Sequence, residues 1–301
     1  MKKIKTIFFS GGGLRGISFI GAIKALNEYD MIDNVETYIG TSIGSLFATI
    51  LALKLPYDYV YSKFINLELD KYIDVDIDNL FSKFGLDTGK KLMAPIIKAF
   101  QDHKYSKHIT FIQLYDKNKK KLVISATCLT ELKVHYFDYV NSPNMSIIKA
   151  IRMSISIPFY FTAQKYMGKL YIDGSVFEYF PLNLYPPDEH FLALNTRYKK
   201  KCVNLKIESM ESYLLHIYYG IKYRIEELEK MICYKYNSID ILIENCELLD
   251  FSLTKKVKKS IINVGYDTVK DYILKNNENN ESNENNESNE SNESDTEVKN
   301  E

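Results

Sequence analysis

The chain has 301 residues, 46% hydrophobic and 26% charged, which excludes a disordered or fibrous protein and leaves enough apolar material for one sizeable globular core. The formal net charge of +0 hides an asymmetry, because residues 276–301 carry nine acids and one lysine, leaving 38 basic and 30 acidic residues in 1–275. Cys128, Cys202, Cys233 and Cys246 show no metal-like spacing, and in a chain of this size they read as reduced, mostly buried thiols of an intracellular protein.

The first element is a strand. Ile4–Phe9 alternates and is β-rich; the apolar run after Met1-Lys2-Lys3 breaks at the glycines and is too short for a signal peptide. Ser10-Gly11-Gly12-Gly13-Leu14-Arg15-Gly16 follows, and then Ile17, Ile20, Ile23 and Leu26 recur at helical spacing. Three readings compete for this loop. Gly11, Gly13 and Gly16 satisfy the dinucleotide fingerprint, with Glu36 20 residues on, but Glu36 opens the second strand, whereas the fingerprint places its acid near that strand's end. A tight strand-to-helix turn is the plain alternative. The third uses the N–H groups of a helix N-terminus to hold a developing oxyanion, with Arg15 anchoring the loop or adding positive potential.

Gly40-Thr41-Ser42-Ile43-Gly44 comes next, between apolar Val35–Ile39 and Leu46–Leu51. Strand, sharp turn and helix is the geometry that presents a serine Oγ as a nucleophile. The α/β-hydrolase elbow follows several strands, but here there is room for only about two, so the partners of Ser42 come from another arrangement. Tyr38–Leu55 is interrupted by Gly40, Ser42, Gly44 and Lys54 and is predicted as strand plus buried helix, not a membrane span. After Pro56, the stripe Tyr57, Val60, Tyr61, Phe64 and Ile65 packs a core, lines an acyl-chain pocket or forms a lid. Asp70, Asp74, Asp76 and Asp78 lack the glycine and terminal glutamate of a calcium loop and read as a solvated segment.

Further on, a short helix over Thr110–Tyr115 precedes strands Lys121–Ala126 and Val134–Phe137. Ala150–Pro158 reads as a helix ended by proline. Lys169–Ile172 is a short strand that delivers Asp173 into the turn Asp173-Gly174-Ser175, although Asp-Gly is also an ordinary turn dipeptide. Phe191–Leu194 reads as a buried strand, and Glu208–Tyr236 as one or two helices with Leu214, Leu215, Tyr218, Ile221 and Ile225 on the apolar side. Lys255, Lys256, Lys258 and Lys259 crowd a last helix containing Val257, Ile261 and Ile262. His103, His108, His135, His190 and His216 stand in no context built for catalysis. Strands alternating with helices predict a three-layer α/β/α domain with a predominantly parallel central sheet, and residues 276–301 predict a disordered Asn/Glu/Ser tail.

In this order the motifs resemble the patatin-like phospholipase family across most of residues 4–275: GGGxRG at Gly11–Gly16, GxSxG at Gly40–Gly44, AxRxSxSxP at Ala150–Pro158 and the Asp173-Gly174-Ser175 turn. Asn263–Tyr266 also resembles the family's C-terminal stretch. Ser175 stands where the family usually has glycine or alanine, a small change that alters local hydrogen bonding.

The resemblance implies a patatin-like fold over 1–275 and a dyad without histidine, Ser42 as nucleophile and Asp173 as proton acceptor. Gly11, Gly12, Gly13, Arg15 and Gly16 form the oxyanion loop, with Gly40, Gly44, Gly174, Arg152, Ser154 and Pro158 supporting. A carboxylate of ordinary pKa is a poor base for an alcohol; burial among residues such as Tyr171, Ile172 and Phe177 raises it. The activity implied is that of a serine lipid acyl hydrolase of phospholipase A type, with neither metal nor cofactor. An acyltransferase sharing the acyl-enzyme, or a catalytically silent lipid-binding module, are the alternatives. Expected partners are phospholipid or other acyl-lipid and a membrane surface touched peripherally, with no nucleic acid, in a cytoplasmic setting without signal peptide or transmembrane helix. The basic surplus of 1–275 either favours anionic lipid surfaces or reflects lysines spread over the whole surface.

Overall fold

Strands β1 (Thr6–Phe9) and β2 (Thr37–Thr41) pair in parallel, with α1 (Ser18–Glu28) crossing between them. They form the middle of a sheet seen in a computed structural model that describes residues 3–181, 190–199, 207–233, 236–244 and 246–297, except for the side chains of Glu211, 232–233 and 279–297. The remaining strands are β3 (Gly85–Asp87), β4 (Lys121–Cys128), β5 (Lys133–Phe137), β6 (Phe159–Phe161), β7 (Gln164–Tyr166), β8 (Lys169–Ile172), β9 (Phe191–Tyr198) and β10 (Ser238–Ile243). The main sheet has the order β10-β9-β1-β2-β4-β8-β7, with β5 on the other edge of β4. Pairings from β10 to β4 are parallel and those of β5, β7 and β8 antiparallel. This is an α/β fold with a mostly parallel central sheet.

Alternation assigns the two faces. Ile7, Phe9, Tyr38, Leu122 and Ile124 join the large core, which includes Phe47 of α2 (Ile43–Ala52) and Phe19 of α1. Phe8, Ile39 and Val123 point to the other face, against Phe180, Phe191 and Tyr236. The remaining helices are α3 (Tyr57–Asn66), α4 (Ile77–Lys83), α5 (Lys90–Asp102), α6 (Phe111–Asn118), α7 (Ile147–Ser154), α8 (Met210–Cys233) and α9 (Lys255–Glu297). Thr110 caps α6 through a reciprocal capping box with Gln113, which satisfies backbone donors at the helix start.

One register positions the site. Thr41, the last residue of β2, pairs with Ser125, and Ile172, the last residue of β8, pairs with Thr127 on the same edge of β4. The two strands run in opposite directions along that edge, so their C-terminal ends meet and the next residues, Ser42 and Asp173, converge.

Three expectations change. The apolar side of α8 is interrupted: Tyr218 is buried, but so are Lys222 and Glu229, while Ile221 is 54% exposed, because this helix faces the Asp173 carboxylate and the Tyr179 and Phe180 amides rather than a uniform core. Lys258 belongs to no surface patch; it is 2% exposed and donates to Phe64 O and Leu67 O at the end of α3, where a cation meets orphan carbonyls. Phe177 is 39% exposed and takes little part in burying Asp173, whereas Tyr171 and Ile172 are buried. The α9 backbone runs to Glu297. Residues 298–301 and Cys202 lie outside the described residues. Among the described residues, no helix is long and apolar enough to cross a membrane.

Candidate active site

Ser42 is held at φ 52 and ψ −127 between β2 and α2. Positive φ is rare for a residue with a side chain and persists only where its surroundings enforce it. Gly40 and Gly44 flank the turn: a Cβ on Gly44 would lie 2.1 Å from Phe9 O. Ser42 N donates to Ser154 Oγ at 2.8 Å, and Ser45 N to Ser42 O at 2.9 Å. The Ser42 side chain donates from Oγ to Asp173 Oδ2 at 2.5 Å.

Asp173 is fully buried. Its other oxygen, Oδ1, accepts from Ser175 N at 2.9 Å and Ser175 Oγ at 2.6 Å. The end of α7 ties the two turns together, because Ser154 O accepts from Gly174 N at 3.1 Å while Ser154 Oγ accepts from Ser42 N. Ser156 O accepts from Asp173 N at 2.9 Å. Arg152 spends its guanidinium on Thr88 O, Thr162 O and Ser156 Oγ, and burial brings it down to about 10. It is a structural clamp. Pro158 closes the segment between α7 and β6, next to buried Ile157.

The glycine loop lies against Ser42 and Ser175. A Cβ on Gly11 would sit 3.3 Å from Ser42 Cβ and 3.1 Å from Ser175 Oγ. Gly13 has φ +56 and opens a short 3-10 helix, Gly13–Ile17, whose Leu14 N donates to Leu248 O at 3.0 Å. The N–H groups of Gly12 and Gly13 make no hydrogen bond within the described residues. Arg15 Nε donates to Gly12 O at 3.2 Å and its guanidinium covers the Tyr198 ring, so it anchors the loop. Gly16 packs on Ile43, and a Cβ there would be 2.6 Å from Ile43 Cγ2.

Burial pushes the Asp173 carboxyl above its ordinary range; the Lys222 ammonium and the hydrogen bonds from Ser175 and Ser42 pull the other way. Lys222, from α8, is itself 6% exposed, and burial lowers its pKa against the support of Glu226 and Asp173. Tyr218, one turn earlier, is buried, and both burial and the charge of Asp173 raise its phenol. These two residues were missed in the sequence because their side chains belong to a helix far along the chain. A lysine amid Leu214, Leu215 and Ile225 was the one signal that could have marked it.

Beside Ser42 opens a cavity of about 170 Å³. Its walls are almost entirely apolar, with Leu46 from α2, Val60 and Phe64 from α3, Ile96 from α5, and Leu248 and Phe251. The stripe on α3 thus serves both core and cavity. Elsewhere Cys128, Glu131 and His135 bring ligand atoms within 4.8 Å of one another, but Glu131 is already engaged by Lys133, His135 and Lys169, a poor setting for a dication.

The sequence profile of the patatin-like phospholipases matches residues 7–184, which contains Ser42, the glycine loop and Asp173. The chain belongs to the patatin-like phospholipase family. An uncharacterized protein of Acanthamoeba polyphaga mimivirus is 28% identical over 288 residues, covering 91% of this chain and 95% of that protein. A protein of Invertebrate iridescent virus 6 named "Probable lipid hydrolase" is 30% identical over 189 residues, covering 61% of this chain and 63% of that one. Membership of the patatin-like phospholipases, with this relative, supports a lipid hydrolase. Among solved structures, VipD from Legionella pneumophila superposes with TM-score 0.61 at 16% identity, covering 89% of this chain and 66% of that one. The type III effector ExoU gives 0.53 at 15% identity, covering 91% and 53%. The chain therefore spans under two thirds of VipD and about half of ExoU, and the likeness is one of fold.

Proposed function

We propose that residues 1–275 form a serine lipid acyl hydrolase of phospholipase A type that cleaves carboxylic esters of membrane lipids through Ser42 and Asp173. The observation that carries this reading is the 2.5 Å hydrogen bond from Ser42 Oγ to Asp173 Oδ2 at the head of an apolar cavity. In the first step Ser42 Oγ attacks the ester carbonyl as its proton passes to Asp173, whose buried carboxylate is a stronger base than an exposed one. The tetrahedral oxyanion is received by the N–H groups of Gly12 and Gly13, and losing one such donor typically costs about 10²–10³ in rate. Asp173 returns the proton to the leaving alcohol, and water then hydrolyses the acyl-enzyme by the reverse sequence. The acyl chain lies in the cavity between α2, α3 and α5. Contact with a membrane is peripheral; Val75, Ile77, Phe81 and Phe84 around α4 are all more than half exposed and suit an interface.

The test is labelling by a fluorophosphonate probe together with hydrolysis of phospholipid vesicles. Wild type labels and hydrolyses; Ser42→Ala does neither; Asp173→Asn loses about 10³-fold or more in hydrolysis. Equal labelling of wild type and Ser42→Ala would remove the nucleophile, and full activity in Asp173→Asn would remove the base.

A further inference from the structure

A second cleft, of about 850 Å³, lies on the far side of α5 from the apolar cavity. The helix has two working faces: Leu92, Pro95, Ile96 and Ala99 look into the cavity, while Lys90, Met93 and Ile97 line the cleft. Lys83, Lys107, Lys149, Lys165 and Arg152 also line it, and no carboxylate does. None of the five lysines makes an ion pair within the described residues; Lys83 and Lys149 donate only to the neutral Asn79 Oδ1 and Gln164 Oε1. Elsewhere the protein pairs its lysines freely, as in Lys91–Asp74 and Lys98–Asp102 at the same helix. Asp87, the carboxylate that acts on Arg152, is fully buried and is taken by the amides of Asp74 and Gly89.

Concentrating like charges in a concave site with no counter-ion is unfavourable unless a ligand supplies one. Lys149 registers that strain: it is half-buried beside Arg152, and burial and the Arg152 charge both lower its pKa. The remaining polar lining, including Thr88 and Ser146, offers hydroxyl donors. Five ammonium groups match a multiply charged anion with several acceptor oxygens, which is the chemistry of a phosphate monoester. Phe84, the residue that ends α4, lines the cleft and is 58% exposed, and Phe81 within α4 is 81% exposed. Exposed aromatic side chains beside a basic cleft fit a ligand presented at a bilayer surface.

We propose that this cleft binds the phosphate monoester headgroup of a membrane lipid at a site separate from Ser42. This gives a location and a ligand class to the membrane contact proposed above, and it does not depend on hydrolysis.

The experiment uses full-length protein carrying Ser42→Ala, so that no lipid is consumed and failure of the hydrolase reading leaves it intact. Co-sedimentation is measured with phosphatidylcholine vesicles containing phosphatidic acid, with phosphatidylserine vesicles of equal surface charge, and in competition with soluble inositol hexakisphosphate. Adding Lys90→Ala, Lys107→Ala and Lys165→Ala changes three exposed side chains and leaves the fold in place, as circular dichroism verifies. The expected result is preference for phosphatidic acid, weakened by about fivefold per lysine removed and so about a hundredfold in the triple variant. Undiminished binding by that variant overturns the site, and equal binding to both vesicle types overturns the phosphate monoester. Binding of inositol hexakisphosphate without binding to phosphatidic acid vesicles overturns the membrane source.

Discussion

Ser175 Oγ donates to Asp173 Oδ1 at 2.6 Å, on the carboxylate oxygen opposite the one that receives Ser42 Oγ at 2.5 Å. The serine at this third motif position therefore holds the charged form of the proposed base. Ser175→Ala removes that bond and keeps the backbone bond from Ser175 N. Hydrogen bonding to the charged form favours it, so the variant has a more basic Asp173, and the acid limb of kcat/KM against pH moves to higher pH. An unmoved limb would separate Asp173 from the proton transfer.

Lys222→Met tests the same carboxylate from the other side. The ammonium stabilises ionised Asp173 through space, and methionine keeps most of its volume. The acid limb again moves upward, and Lys222→Arg, which retains the charge, moves it less. A uniform loss of activity with no change in profile would make Lys222 a packing residue alone.

Ser154→Ala leaves Ser42 N–H, and the strained turn it supports, without its acceptor. A buried donor left unpaired costs about 1–3 kcal/mol. Urea unfolding should show a loss of that size, accompanied by a fall in kcat as the turn relaxes.

Ile96→Trp fills the apolar cavity from α5. Each methylene removed from an apolar environment costs about 0.8 kcal/mol, so hydrolysis of long-chain esters should fall by at least about tenfold while butyryl esters are little affected. Equal loss across chain lengths would place the acyl group elsewhere.

Glu229 accepts from Tyr179 N and Phe180 N, yet burial raises its pKa to about 8. The folded state then binds its proton more tightly than the unfolded state, whose value is near 4.5. Stability from this group is complete below that value, falls as pH rises, and is gone above about 8; the whole effect is at most a few kcal/mol. Thermal denaturation across this window should show the slope in wild type and a flatter profile in Glu229→Gln.

Motifs built on turn chemistry were legible in the sequence. A GxSxG turn needs close backbone approach at Gly44, and a positive φ at Gly13 needs glycine; such requirements are local and leave local marks. So are the alternation of Ile7, Phe8 and Phe9 and the cap at Thr110. Lys222, Tyr218 and Glu229 left no comparable mark, because which side of α8 is buried depends on Tyr179 and Asp173, dozens of residues away. Lys258 looked like part of a surface cluster until the end of α3 was seen to need its ammonium.

The order and chemistry of the turns, and with them the family, were thus written in the chain itself, since backbone geometry at a glycine or a serine elbow is decided within a few residues. Tertiary structure alone decided that β2 and β8 end side by side on β4, that a lysine stands behind the candidate base, and that α5 divides an apolar cavity from a basic cleft. Those relationships depend on burial and on charge across space, and neither is a property of neighbouring residues in sequence.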